Sequence, residues 1–374
     1  MERRDWMRLG LDVRAAIWYR ASGIGTYTYQ LWHNLSRIAG EKHQFIPLGE
    51  KLEELNSCQP AIRLKKINFW QALQDDAGHT LRKMDIYHNP QNGFGLPALW
   101  AKTPLVVTIH DLIPYILPQT CSRVYLRLFL EMVPRIVEKA RMIIAVSMQT
   151  KDDIMRILRV REDKIRIIYE AADPVYRPLP MDESGRQVLD KYGLKSGRYF
   201  LHVGGFSRRK NALAVIKSLS RLNSRIPGYQ LAVVGRPDGG CFDECVKLIG
   251  YYNLKGKVIL TGLVPVEEMP YLYNGARALV YPSLYEGFGL PLVEAMACGI
   301  PCIAGNVSSM PEIVSKSAIL VNPYRPAEIE EAMRMLATDE TLVRKLSAEG
   351  LLCNRRFDWE AAAKETIDVY EEIC

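Results

Sequence analysis

Short apolar runs recur along the chain, and most are followed by a stretch whose apolar residues return at helical spacing. In the first half the runs lie at 9–13, 105–109, 142–146 and 165–169; in the second they lie at 199–203, 231–234, 258–261 and within ARALVYPS. Largely continuous Val, Ile and Leu marks strands covered on both faces, as in a parallel sheet. Between the runs the spacing predicts helices over 27–38, 121–140, from near Thr150 and over 292–297, with a terminal helix opening at Phe357-Asp358-Trp359-Glu360 and running through Glu372. Pro134 is expected to bend the second of these, and Ser147 to cap the third. Pro291 suits a first helical position, where its missing N–H costs nothing, and Gly299 and Pro301 stop that helix. On this reading Glu294 falls in the first turn and Glu286 on the loop feeding it.

Alternating strands and helices define an α/β chain with two Rossmann-like halves. Glu170-Ala171-Ala172-Asp173 and the proline-bearing VYRPLP read as a linker, and MDESGRQVLDKYGL as a short helix beyond it. The expected domains are therefore 1–173 and 174–357, with a closing helix at 358–374. No internal repeat is evident beyond the two similar halves.

The 374 residues, 48% hydrophobic and 24% charged, suffice for about two globular domains. No run of 18 apolar residues predicts a membrane span. MERRDWMRLG leads into LGLDV without an apolar signal-peptide core, which sets a cytoplasmic expectation. The eight cysteines form no dense framework. Cys241/Cys245 and Cys298/Cys302 lack the two-residue gap of zinc knuckles, so reduced thiols and no metal are expected. Asp75-Asp76 and Asp152-Asp153 also lack the setting of a metal-binding carboxylate pair, and the second fits a helix start.

The formal charge of +7 is uneven. Residues 1–180 hold 26 basic and 19 acidic side chains, and the rest hold 23 of each. This suggests an anionic partner for the first half: a lipid phosphate, a membrane surface or an anionic acceptor. A scatter of solvated charge is the alternative. Arg123, Arg127, Arg135 and Lys139 fall near one side of the 121–140 helix, which either lies on an anionic membrane or presents an ordinary polar face. Lys65, Lys66, Phe69 and Trp70 form a basic-aromatic patch, read either as an acceptor or membrane contact or as a solvated loop. No long basic tract points to nucleic acid.

Candidate chemistry gathers at strand ends, where open α/β sheets bind ligands. Gly23 and Gly25 sit between the first strand and a helix, where backbone amides can cradle a phosphate. Thr28 occupies the third position of a dinucleotide fingerprint, which argues against an NAD enzyme. His110-Asp111 follows the 105–109 strand. Arg209 and Lys210 follow the glycines of GGFSRRKN, a setting that suits a diphosphate. Gly262 and Leu263 close another strand end. Glu286, Gly287, Phe288, Gly289 and Leu290 lead into the helix carrying Glu294. An anion flanked by two carboxylates that accept hydroxyl hydrogen bonds describes a nucleotide-sugar pocket.

The string EGFGLPLVEAMACGIP resembles the Glu-x7-Glu signature of family 4 glycosyltransferases, whose fold is GT-B: two Rossmann-like domains facing a cleft, with the last helix crossing back to the first domain. The resemblance implies that Glu286 contacts the donor sugar and Glu294 the ribose. It also implies that the Gly23/Gly25 loop touches the diphosphate and that the loops at Gly262 and Leu263 hold the base. VVTIHDLIPY resembles the family where its histidine, here His110, lies near acceptor and donor sugar. Arg209-Lys210-Asn211 matches the family pattern, but Gly205 stands where an arginine is common, so one phosphate contact is either absent or supplied by Arg208. The likeness covers most of the chain and is weakest at 40–85.

YHNPQNGFGLP, VVTIHDLIPY and FDWEAAAKETIDVY look most like bacterial polysaccharide mannosyltransferases. The implied activity is retaining transfer of a hexose to a hydroxyl of a glycan or lipid-linked acceptor, in synthesis of a cell-surface polysaccharide such as lipopolysaccharide. GDP-mannose is the first donor expectation, with UDP- and dTDP-sugars as alternatives, and neither metal nor further cofactor is implied. The catalytic residues implied are His110, Lys210 and Glu286. A GT-B epimerase or phosphorylase, or a non-catalytic assembly factor, would share the fold.

Overall fold

The computed structural model describes residues 6–18, 22–39, 42–49, 83–94 and 102–374. The Lys65/Lys66/Phe69/Trp70 patch and Asp75-Asp76 lie outside the described residues. The chain forms two compact units, Met1–Ala171 with Phe357–Cys374, and Ala172–Arg356. The changes of unit thus fall two residues and one residue earlier than the sequence pattern places them. Phe357 belongs with the first unit because its ring meets Tyr169 edge-on at 5.7 Å.

In the first unit the strands are β1 (Arg8–Asp12), β2 (Gln44–Leu48), β3 (Ile86–Asn89), β4 (Leu105–Ile109), β5 (Met142–Ala145) and β6 (Ile165–Ile167). They pair in the order β2-β1-β3-β4-β5-β6, all parallel. Every residue of β4 is buried, as its run of Leu and Val requires of a central parallel strand. The helices are α1 (Arg14–Trp18), α2 (Gly23–Ala39), α3 (Ile113–Ile116), α4 (Arg123–Lys139), α5 (Met148–Leu158) and, from the far end of the chain, the closing helix Trp359–Ile373. Ser122 and Ser147 cap α4 and α5 by accepting from the Tyr125 and Thr150 amides, which satisfies donors that a helix start leaves unpaired. Phe129, Val133, Ile136 and Val137 turn one stripe of α4 into the core.

The closing helix is tied to the sheet by a buried polar chain. Tyr370 Oη meets His88 Nδ1 at 2.6 Å, His88 Nε2 meets Thr108 Oγ1 at 2.8 Å, and Tyr27 Oη meets the same Thr108 oxygen at 3.0 Å. Burial, with the charge of His110 adding to it, holds His88 down to about 3, so the ring is neutral. Each buried polar group thereby has a partner that only the folded chain brings near.

In the second unit the strands are β7 (Tyr199–Val203), β8 (Gln230–Val234), β9 (Val258–Gly262), β10 (Ala278–Tyr281), β11 (Cys302–Gly305) and β12 (Ala318–Val321). Their order is β12-β11-β10-β7-β8-β9, again all parallel. Order reverses between β7 and β10, and that switch point is where an open α/β sheet leaves a crevice beyond its strand ends. The helices are α6 (Glu183–Lys191), α7 (Ala212–Arg225), α8 (Phe242–Tyr251), α9 (Met269–Gly275), α10 (Leu290–Ala297), α11 (Met310–Val314), α12 (Pro326–Thr338) and α13 (Glu340–Asn354). The closing helix of the first unit is therefore α14.

Two expectations change. Helix α2 begins at Gly23 and not at Tyr27, because Ser22 acts as its cap: its Oγ accepts from the Gly25 amide at 3.2 Å and its carbonyl from Thr26 at 2.9 Å. Gly23 and Gly25 are thus first-turn residues and not loop residues. Helix α10 begins at Leu290, so Glu294 is its fifth residue and lies past the first turn. On α4, Arg127 pairs with Glu131 at 3.0 Å and Glu138 is exposed on the same outward side, so that face carries mixed charge. Among the described residues no helix is long and apolar enough to cross a membrane.

Candidate active site

The loops after β7 and β10 flank the switch point of the second unit. After β7 the backbone turns through Gly204 at φ +122° and Gly205 at φ +69°, conformations that favour glycine. A Cβ on Gly204 would lie 2.9 Å from Cδ and Cε of Lys210. The bare backbone therefore lets the lysine stem lie across it. A short 3-10 turn, Arg208–Lys210, follows, and Asn211 locks it from a left-handed position by donating to the carbonyls of Pro282 (3.1 Å) and Pro323 (2.7 Å).

Gly235, at the end of β8, makes this approach possible. A Cβ there would fall 2.2 Å from Gly205 Cα. Gly235→Ala is expected to destabilise the chain by about 2–3 kcal/mol through overpacking against backbone. Gly228→Ala, where a Cβ would meet nothing within 4 Å, is the control. Urea midpoints for the two variants, at unchanged slope, check this; equal midpoints would remove the packing argument.

The loop after β10 brings Glu286 to the cations. Its Oε1 lies 2.5 Å from Arg209 Nη1 and 2.8 Å from Lys210 Nζ, and accepts from Tyr281 Oη at 2.9 Å. Lys210 also donates to Tyr281 Oη and stands 4.7 Å from the centre of that ring. Arg209 donates to the Tyr285 carbonyl at 2.7 Å, and its own carbonyl accepts from the Leu284 amide at 2.8 Å. Glu286 is only 7% exposed. Burial alone would raise its carboxyl, but the charges of Arg209 and Lys210 and their hydrogen bonds override it and hold it to about 2.

Two serines that open α11 hold the same loop. Ser308 Oγ accepts from the Glu286 amide at 2.9 Å, and Ser309 Oγ donates to the carbonyls of Glu286 (3.0 Å) and Phe288 (2.7 Å). The Glu286 amide is thus directed at Ser308. Phe288 is buried, and Gly289 at φ +114° sets the start of α10. Gly287 lies between them, and Leu290 is buried as the first residue of that helix. Gly262 ends β9 at φ +71° and Leu263 beside it is 40% exposed. Arg208 pairs with Glu244 on α8, so it is engaged away from the Glu286 cluster.

Glu294 is a different carboxyl. Tyr273 donates to its Oε2 at 2.5 Å. Burial lifts it to about 7, against the hydrogen bond from Tyr273 and with nearby Asp173 raising it further; the charge of Lys210 opposes. A carboxyl raised in the folded state penalises folding once the unfolded chain has ionised. The penalty therefore grows from about pH 4 to 7 and is complete above that. Glu294→Gln is expected to raise stability at pH 8 by on the order of 1–2 kcal/mol, discounted for partial exposure, and to leave it unchanged at pH 4. Thermal melts across that range check it; a gain of equal size at both pH values would contradict the shifted carboxyl.

His110 follows β4 in the first unit. Its Nδ1 lies 2.8 Å from Glu170 Oε1 and its Nε2 2.8 Å from the Pro90 carbonyl. Two acceptors require hydrogen on both nitrogens, either as imidazolium or with a proton shared with Glu170. Burial would lower the ring, but the hydrogen bond and charge of Glu170 reverse this and raise it. The His110 amide donates to Asn92 Oδ1 at 2.6 Å, so the residue braces the loop after β3. Both ring nitrogens are therefore engaged within the first unit.

Among the described residues no group of three or more His, Cys, Asp and Glu side chains is placed to hold a metal ion. The Cys241 and Cys245 sulfurs lie 3.8 Å apart, and Cys298 and Cys302 are buried. The partners Tyr281, Ser308, Ser309, Tyr273 and Glu170 carried no sequence signal for these roles beyond the helix start at Ser308-Ser309.

Two Rossmann-like units, each built on a parallel six-stranded sheet, define the GT-B class of transferase fold. The Anabaena protein HepE, whose structure contains UDP and glucose, aligns with a TM-score of 0.76 over 98% of this chain and 99% of its own, at 18% identity. The description "Glycosyl transferases group 1" matches residues 187–365, and "Glycosyltransferase Family 4" matches residues 21–175. O-antigen chain mannosyltransferase B of Escherichia coli is 30% identical over 286 residues, covering 76% of this chain and 74% of that protein. The serotype-specific mannosyltransferase WbdA of Escherichia coli is 26% identical over 295 residues; the match covers 76% of this chain and 36% of WbdA's length. The chain belongs to the family 4 glycosyltransferases and is a transferase enzyme.

Proposed function

We propose that the chain is a retaining mannosyltransferase of polysaccharide synthesis, taking mannose from GDP-mannose to a hydroxyl of a glycan or lipid-linked acceptor. The observation that carries the reading is the meeting of Arg209 and Lys210 at one oxygen of Glu286, beside glycine turns at the switch point. The difficult event in glycosyl transfer is departure of the diphosphate, and cations fixed in place beforehand favour the departing anion without reorganisation. The three side chains carry a net charge of +1 at neutral pH, which suits an incoming diphosphate. In this reading Glu286 also accepts from sugar hydroxyls and Glu294 from the ribose. The acceptor attacks on the face the diphosphate leaves, and the leaving phosphate takes its proton. His110 acts by positioning the loop after β3. Mannose and polysaccharide synthesis rest on the mannosyltransferase relatives of O-antigen chains. The donor is the only small molecule this chemistry requires, and contact with an anionic membrane is an extension of the reading.

A thermal-shift panel of GDP, UDP, dTDP and ADP tests the donor, since a ligand bound only by the folded chain raises its melting temperature. The largest shift is expected with GDP. A larger shift with UDP or dTDP replaces the donor, and no shift with any of the four overturns the reading. Product formed from GDP-mannose without any acceptor would point to the epimerase alternative.

A further inference from the structure

Glu286 has its Oε1 taken by two cations and the Tyr281 hydroxyl. Glu294 is held quite differently. Among the described residues its side chain makes one hydrogen bond, from Tyr273 Oη to Oε2 at 2.5 Å. The side chain is half-buried, and Oε1 is neither paired within the protein nor shut away from solvent. The charge of Lys210 acts on this carboxyl, so the group lies close to the cation assigned to the diphosphate. In a nucleoside diphosphate the ribose follows directly on the phosphates.

The donor of that one hydrogen bond is fixed on every side. Tyr273 is fully buried on α9. The carbonyl of Leu272 before it accepts from Tyr199 Oη at 2.5 Å. Asn274 after it donates to the carbonyls of Pro270 (2.8 Å) and Arg177 (2.9 Å) and accepts from the Leu179 amide at 2.9 Å. The contacts with Arg177 and Leu179 tie down the segment that carries Tyr176, whose ring meets Tyr273 edge-on at 5.4 Å. A tyrosine reaches its hydroxyl through two side-chain torsions only, so a pinned backbone and a packed ring leave Oη one position. Packing alone does not call for this hydroxyl, since a phenylalanine ring fills the same space. Burial meanwhile raises Glu294 to about 7, and a carboxyl that opposes folding at neutral pH is the kind of group that functional sites retain.

We propose that Tyr273 is a positioning residue: by holding Oε2 of Glu294 it aims Oε1 at the ribose, and so sets the preference of the site for nucleotides that carry ribose hydroxyls. The inference rests on the ribose role given to Glu294 above. A carboxylate oxygen accepts along two lone-pair directions, and the 2′ and 3′ hydroxyls of a ribose stand side by side to use them. A glutamate already fixed loses less side-chain freedom when the nucleotide binds.

Wild type, Tyr273→Phe and Glu294→Ala are titrated calorimetrically with GDP and with 2′,3′-dideoxy-GDP, or with the same pair carrying whichever base the thermal-shift panel selects. Wild type should prefer the ribonucleotide by about tenfold or more, the scale of hydrogen bonds to a charged group. Tyr273→Phe should bring that ratio below about threefold while its affinity for the dideoxy form stays that of wild type. A purely structural role would not move the ratio. An equal loss for both ligands in Tyr273→Phe, or an unchanged ratio, overturns the inference. Glu294→Ala tells this failure from that of the ribose assignment. If it loses the ratio while Tyr273→Phe keeps it, only the inference falls; if Glu294→Ala keeps the wild-type ratio, the ribose assignment falls and takes the inference with it.

Discussion

Glu286→Gln is expected to lower the stability of the chain by about 3 kcal/mol at neutral pH, and Glu286→Ala by about 3–5 kcal/mol. The glutamate is the carboxylate at which Arg209 and Lys210 meet. Removing one member of a buried ion cluster leaves desolvated charge behind, which costs more than the cluster itself contributes. The sign with pH follows from the depressed carboxyl. Its contribution is present above the unfolded value near 4.3 and disappears as pH falls through about 2. Denaturation curves of wild type and Glu286→Gln should therefore differ by the full amount from pH 8 down to about 5 and converge toward pH 2. A constant gap across that range would show that packing, and not charge, is responsible. Turnover at a protein concentration where the variant is folded is expected to fall by at least ~10²-fold, the scale of losing one fixed electrostatic contact in a transition state.

Lys210→Met separates catalysis from folding more cleanly. The methionine keeps the stem that lies against Gly204, and Glu286 keeps Arg209 and Tyr281 as partners. Stability should fall by less than in Glu286→Gln, because Arg209 still neutralises the buried carboxylate. The departing diphosphate loses one of two fixed cations, and kcat is expected to fall by about 10²–10³-fold. The loss should appear in kcat more than in KM, because charge on the bridging oxygen develops only as the sugar leaves. Steady-state kinetics on the folded variant check this. A kcat within a factor of three of wild type would remove Lys210 from the reaction.

Much of this site was legible because its parts are local. YFLHV is a continuous buried run, and the strand Tyr199–Val203 has the bounds the pattern predicts. Glu286, Arg209 and Lys210 each stand next to glycines at a strand end, where the chemistry of a bound anion is local to the loop. Less was legible where a buried segment carries polar residues. IYHN of β3 gives no apolar signal, since His88 and Asn89 depend on Tyr370, Thr108 and Asp12, partners far off in sequence. The start of α2 was misplaced because Gly-Ile-Gly reads as a loop, while Ser22 makes it the opening turn of a helix. The second-turn position of Glu294 has the same cause: a helix opened by Gly289 begins one residue before its proline. Arg208 was a candidate for phosphate by adjacency alone, and only the fold shows it turned to Glu244. His110 was read as facing a ligand, and the engagement of both its nitrogens needed the positions of Pro90 and Glu170.

The most direct test of the central claim, a diphosphate gripped by Arg209 and Lys210 in the second unit, is a calorimetric comparison of GDP with guanosine. Wild type should bind GDP at least a hundredfold more tightly than guanosine, and Lys210→Met should lose most of that difference while its affinity for guanosine stays the same. Equal affinities of wild type and Lys210→Met for GDP, or an equal loss for both ligands, would contradict it.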